Sequence, residues 1–365
     1  MKSDLIVLRD ASIKIILENQ APTGAYIASP NFGVYNYSWI RDGAFIADAM
    51  LDHSEFNSSS LFHDWVSSVV IAREVKIRTL IARNRSGDTI SPDEHLHCRF
   101  TVDGNESTED WTNFQLDGFG TWIWSLGRYQ ELGRQLTTNN LLAVECLVPY
   151  LAEFWRHDSF DWWEESFGHQ HVSTLGSICA GLRACSKWQS ISPVNRELAS
   201  ETSNLIFNYI SQNLGANSEL TKWIGNQGLD SSVVSLISPF AIFPPDSSIA
   251  HQTILAVEGK LGLFGTFRHV DDSYFGGGKW LILSAFLALA MLETGEIEKP
   301  RAVLDWMFDQ ADSDLNLPEQ LSSPLLHPDS RQEWIDKWGQ PAQPLLWSHA
   351  MYLKLFSALQ LREVI

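Results

Sequence analysis

From Lys279 to Glu293 the chain is apolar on nearly every face of a helix, and within the run Trp280 to Leu292 only Ser284 interrupts it. A helix with no polar face has to be covered on all sides. This one is shorter than the roughly 18–20 residues that span a bilayer, so the cover must be protein. Other helices are at hand. Leu8, Ala11 and Ile15 recur at helical spacing, as do Phe62, Trp65 and Val69 with Ala72 continuing the stripe. Further helices are predicted near 43–53, 118–132, 138–156, 174–188, 195–213, 247–259, 298–310 and 344–361. In 174–188 the small residues Gly176, Ala180, Gly181 and Ala184 let a neighbouring helix approach closely. The pattern predicts an all-α fold of buried helices wrapped by amphipathic ones, stacked as hairpins.

The 365 residues suffice for one large domain, and no Pro- or Ser-rich linker divides them, so a single domain over 1–365 is expected. Hydrophobic residues make up 44% and charged ones 19%, a globular composition. A net charge of −18 repels nucleic acid and anionic membrane surfaces. A neutral substrate suits that field, although charge that only keeps the protein soluble reads equally well. Cys98, Cys146, Cys179 and Cys185 show no CxxC spacing, which favours free thiols in a reducing compartment. The first residues lack the apolar core of a signal peptide. A cytoplasmic location is expected, and monomer and homo-oligomer both stay open.

Long connections at 24–41, 86–116, 160–173, 222–245, 262–278 and 312–343 exceed ordinary helix links and are where function is expected. Two of them carry carboxylates in unusual company. Glu164 and Glu165 follow Trp163, and Glu319 follows Pro318. One protonated and one ionised carboxyl are the minimal equipment for hydrolysing an acetal such as a glycosidic bond. An apolar wall and a like-charged neighbour both raise the pKa of Glu164, as an acid requires. The plain alternative is that Glu164 and Glu165 form a surface pair. The 15 tryptophans offer flat faces to sugar rings, although any one of them also suits a core.

Other residues join these. Tyr35, Tyr37, Trp39, Arg41 and Asp42 stand within eight positions. Arg41 supplies fork-like donors and Asp42 can accept from two hydroxyls, while Asp42 also suits the N-cap of the 43–53 helix. Trp111, Gln115 and Asp117 lead through Gly118 and Gly120 into an aromatic helix. Arg268, Tyr274, Gly276-Gly277-Gly278 and Trp280 mark a loop–helix junction open to a ligand. His169 and His171 have no clear third ligand and are read as packing or hydrogen-bonding residues. His349 is read as a satisfied structural histidine.

In order, Tyr35-x-x-x-Trp39-x-Arg41-Asp42, Trp111-x-x-x-Gln115-x-Asp117-Gly118, Asp161-x-Trp163-Glu164-Glu165, the Arg268–Trp280 stretch, Leu317-Pro318-Glu319-Gln320 and Pro344 to Ala350 span nearly the whole chain. This set resembles glycoside hydrolase family 15, the glucoamylase-like inverting α-glucosidases. The resemblance implies an (α/α)6 barrel with a closed pocket that removes one glucose from a non-reducing end. It implies Glu164 as general acid and Glu319 as general base. It also implies Arg41 and Asp42 gripping the terminal glucose, Tyr35, Trp39, Trp111, Trp163 and Trp347 lining the pocket, and Glu165 and Arg268 toward the departing sugar. Many family members carry an additional β-sandwich or starch-binding domain for which this chain has no room. The expected substrate is therefore a short, neutral α-glucan, either a maltooligosaccharide or an isomaltose-type α-1,6 oligosaccharide, with no cofactor and no metal. An α,α-trehalase on the same scaffold and a catalytically silent sugar-binding module are the alternatives.

Overall fold

The computed structural model describes residues 2–107, 109 and 111–365, apart from the side chains of Lys2 and Ser3. Position 1 of the expected domain, and positions 108 and 110 of the predicted 86–116 connection, lie outside the described residues. In chain order the helices are α1 (Lys2–Glu18), α2 (Ile40–Asp52), α3 (Phe56–Ile71), α4 (Glu74–Arg85), α5 (Asp117–Glu131), α6 (Thr138–Phe154) and α7 (Val172–Cys185). They continue as α8 (Pro193–Ser211), α9 (Ser248–Leu261), α10 (Leu281–Glu293), α11 (Glu298–Asp309), α12 (Arg331–Trp338) and α13 (Leu346–Leu361).

Two concentric layers result. The helices α2, α5, α7, α10 and α13 are buried over almost their whole lengths. With a short 3-10 turn, Ser231–Leu236, they form a closed inner ring: α2 packs on α5, α5 on α7, α7 on the turn, the turn on α10, α10 on α13 and α13 back on α2. Outside lie α1, α3, α6, α8, α9 and α11, each burying one stripe. In α11 that stripe is Pro300, Val303, Leu304 and Met307. Six inner and six outer elements make the (α/α)6 barrel that the resemblance implied. The inner α10 carries the run that is apolar on nearly every face.

The closest inner contact, α5 on α7, depends on missing side chains. A Cβ at Gly120 would sit 2.5 Å from the Ser177 carbonyl oxygen, and one at Gly181 would sit 2.3 Å from the Gly120 oxygen. The backbones therefore touch, which draws the start of α5 and the segment preceding α7 together at one end of the barrel.

Three features differ from the periodicity. The sixth inner element is the 3-10 turn, buried inside a segment read as a connection, 222–245. The helix α12 stands inside another, 312–343. The helix α4, with Ile77, Leu80 and Ile81 buried, was not predicted. The helix α2 also begins earlier than expected: Trp39 is its N-cap, so Asp42 lies within the first turn and is not the cap. A two-residue antiparallel pairing, β1 (Ser38–Trp39) with β2 (Arg99–Phe100), ties the entry of α2 to the 86–116 connection. Among the described residues no helix is long and apolar enough to cross a membrane.

Candidate active site

The loop ending in Glu164 and Glu165 is organised by Asp161. Its Oδ1 accepts the backbone N–H of Trp163 (3.0 Å) and of Glu165 (2.9 Å), while the Glu164 N–H donates to the Asp161 carbonyl (3.0 Å). Lys222 Nζ lies 3.5 Å from Asp161 and 3.7 Å from Asp230, and Asp230 accepts the Trp163 indole N–H at 2.8 Å. The turn is tight enough to hold Glu164 at φ 64°, a left-handed conformation that costs a residue with a Cβ about 1–3 kcal/mol. That strain aims its carboxyl inward. Oε2 accepts from the Trp111 indole at 3.0 Å, and Oε1 from Trp39. Burial raises the Glu164 pKa to about 7, against the opposing pull of the Arg41 guanidinium and the Trp39 indole.

Glu319 is fixed from the other side of the chain. Its N–H donates to the Ala342 carbonyl (2.9 Å), Ser348 Oγ donates to the Pro318 carbonyl (2.8 Å), and the Leu317 N–H donates to His349 Nε2 (3.1 Å). Burial lowers the His349 pKa to about 3, so the ring is neutral. With Nε2 accepting, Nδ1 carries the hydrogen and donates to Ser12 Oγ at 2.9 Å. This satisfied histidine, structural as expected, holds the loop that presents Glu319. The Glu319 Oε1 accepts from the Tyr35 hydroxyl at 2.7 Å, and Tyr35 is 2.9 Å from the Tyr274 hydroxyl. Its Oε2 is buried and finds no partner among the described residues. Burial raises Glu319 to about 8 despite the Tyr35 hydrogen bond and the Arg268 charge.

Both carboxyls line one cavity of about 370 Å³ together with Tyr35, Trp39, Arg41, Asp42, Trp111, Trp163, Glu165, Arg268 and Trp347. The two carboxyls and the binding residues implied by the resemblance are therefore in the same place, while Gln115 and Asp117 bond to Arg41 and do not line the cavity, and Glu164 and Glu165 are not a surface pair. One wall is almost fully buried: the Arg41 guanidinium lies over Trp347 (5.3 Å) and Trp162 (5.8 Å) and pairs with Asp42 (3.1 Å) and Asp117 (3.2 Å). Desolvation raises Asp42 to about 6 although Arg41 opposes it. Elsewhere in the lining, Arg268 joins Glu165 (3.0 Å) to Asp272. Burial alone would raise Glu165, but Arg268 and His269 together hold it down to about 2.

Sequence reasoning passed over several residues. Arg99 is fully buried, 4.0 Å from the Trp111 ring and 4.2 Å from Tyr37, and ion-pairs with Glu109 at 2.9 Å. It braces the aromatic wall that holds Glu164. Tyr274 and Trp280, which the sequence marks at the loop–helix junction, line the cavity, and so do Trp162, Trp334, Lys337 and Trp338, which it does not mark. The last three belong to α12, where Trp334 and Trp338 stand four apart, a helical spacing readable in principle. His169 stacks face to face on Trp223 (4.0 Å, 5°) and His171 Nε2 donates to the Ser166 carbonyl (3.0 Å), so the first packs and the second hydrogen-bonds.

A ring of twelve helical elements enclosing a small aromatic cavity with two desolvated carboxyls defines a glycoside hydrolase. The comparisons agree. The model of glycosyl hydrolases family 15 matches residues 2–280. An isomaltose glucohydrolase from Kribbella flavida is 37% identical over 350 residues, 95% of this chain and 91% of that one. A glutamate-to-alanine variant of a glycosidase, solved in complex with glucose, superposes with a TM-score of 0.94 at 37% identity over 98% of each chain. A bacterial glucoamylase solved with acarbose shares the fold (TM-score 0.73, 18% identity), with 96% of this chain covering 55% of that one. The chain belongs to glycoside hydrolase family 15.

Proposed function

We propose that the protein is an exo-acting, inverting α-glucosidase that releases β-glucose from the non-reducing ends of short, neutral α-glucans, isomaltose-type oligosaccharides first among them. The observation that carries this reading is the pair of carboxyls, Glu319 buried and Glu164 half-buried, in one aromatic cavity. Glu164 protonates the departing oxygen. Glu319 takes the proton of a water through Oε2, the oxygen left without a protein partner. Arg41 and Asp42 hold the hydroxyl edge of the terminal glucose against Trp347, and Glu165 with Arg268 meets the sugar that leaves. The cavity volume is at the small end of the ~300–1,000 Å³ typical of ligand sites, which favours short substrates. The similarity to an isomaltose glucohydrolase favours the α-1,6 linkage. The four unpaired thiols suit the cytoplasm.

Proton NMR of glucose at the first turnovers tests the stereochemistry. β-Glucose is expected to appear before mutarotation, and α-glucose appearing first would contradict inversion.

The pH profile follows from the two raised carboxyls. Below about pH 7 both are protonated and the base is blocked; above about pH 8 both are ionised and the acid is lost. Because Glu319 has the higher of the two values, the singly protonated form with its proton on Glu164 is the minor arrangement, and it is the one that works. kcat/KM is expected to peak near neutrality and to fall on either side. A maximum at pH ~4, where unperturbed carboxyls titrate, would show that burial does not govern the pair.

A further inference from the structure

The helix α12 holds no fully buried residue, yet three of its eight side chains, Trp334, Lys337 and Trp338, line the catalytic cavity. It rests on the Tyr274–Gly276 and Pro328–Ser330 turns. Trp334 meets the Tyr274 ring edge to face at 4.9 Å, and Trp338 meets Trp111 at 6.4 Å and 61°. Lys337 Nζ lies over both indoles, 5.5 Å from Trp334 and 4.8 Å from Trp338, and makes no ion pair among the described residues. A core would bury these rings further. Here an exposed helix presents two half-buried indoles and a cation to the cavity.

Where those rings stand follows from the acid. Trp111 donates to Glu164 Oε2, and the departing sugar must lie beside the group that protonates it. Trp338, packed on Trp111, is therefore on the leaving side. The Arg41–Asp42–Trp347 wall is almost fully buried, whereas α12 holds no fully buried residue.

Resting on the reading of the site as an α-glucosidase, we propose that α12 is the specificity wall of the leaving side. Its Trp338 stacks on the second sugar, and the helix obstructs the path of a third. The substrate class is then the disaccharide, with longer chains disfavoured by α12 and not by the glucose-binding end.

The test compares wild type with Trp338→Ala, and with Lys337→Ala in case the first variant folds poorly, the fold being checked by thermal melting. Four donors are used: isomaltose, maltose, isomaltotetraose and α-glucosyl fluoride, which has no second sugar. Loss of one aromatic contact is expected to raise KM for the disaccharides about three- to tenfold and to lower their kcat/KM by more than that of the fluoride. The tetrasaccharide-to-disaccharide ratio of kcat/KM is expected to rise. Lys337→Ala should move the same ratios in the same direction by a smaller factor. Equal losses on all four donors would overturn the assignment of α12 as a wall for the second sugar. Wild-type protein that turns over none of them, the fluoride included, would overturn the glucosidase reading itself, whatever the variants do.

Discussion

Glu319→Gln is expected to lower turnover about 10²–10⁴-fold on every donor, α-glucosyl fluoride included. Water has to be deprotonated whatever group departs, so a better leaving group gives no relief. The substitution is nearly isosteric, and the amide oxygen can still accept from the Tyr35 hydroxyl, which donates to Oε1 at 2.7 Å. The second position becomes an NH2, which cannot take a proton from water. Most of the loss should fall on kcat with KM little changed, because the interaction removed acts in the transition state. Steady-state kinetics on isomaltose and on the fluoride check this. Full activity of Glu319→Gln on either donor would remove Glu319 from the base role.

Glu164→Gln should separate the donors. On isomaltose or maltose, whose departing alkoxide needs a proton, turnover is expected to drop by the same order, about 10²–10⁴-fold. On glucosyl fluoride the drop should be at least tenfold smaller, since fluoride hardly needs protonation. The local geometry adds a second effect. Both Glu164 oxygens accept indole N–H groups, from Trp39 and Trp111, and an amide nitrogen in either place opposes donor to donor. A buried donor left without an acceptor costs about 1–3 kcal/mol, so a modest fall in thermal stability is expected with the kinetic one. Because that structural cost acts on all donors alike, the ratio between donors isolates the proton transfer. Equal losses on both donors would take the acid role away from Glu164.

The pair also shows what was legible before any coordinates. The Trp163-Glu164-Glu165 and Pro318-Glu319 contexts were readable because aromatic and turn-forming neighbours are local facts of the sequence. So were Tyr35 to Asp42, whose rings and charges crowd into eight positions, and the nine helices to which the apolar pattern gives bounds. Their ends fell within about three residues of those observed because the stripe, and not the cap, had been read. Asp42 was the casualty. Its place before Gly43 suits a cap, yet backbone pairing of Ser38–Trp39 with Arg99–Phe100 starts the helix at Ile40.

Local composition determined that this chain would be a layered helical domain and which carboxyls stood in chemically unusual settings, since periodicity and neighbouring side chains act over a few residues. Only the tertiary structure decided that a six-residue 3-10 turn would close the inner ring, that α12 would reach the cavity, and that Arg99 would brace the Trp39–Trp111 wall. It also decided the electrostatics: Glu165 is held ionised by Arg268, 103 positions away in the chain, while burial keeps its neighbour Glu164 near neutrality. Adjacent glutamates with nearly the same local sequence differ because desolvation and charge pairing depend on what the fold brings close.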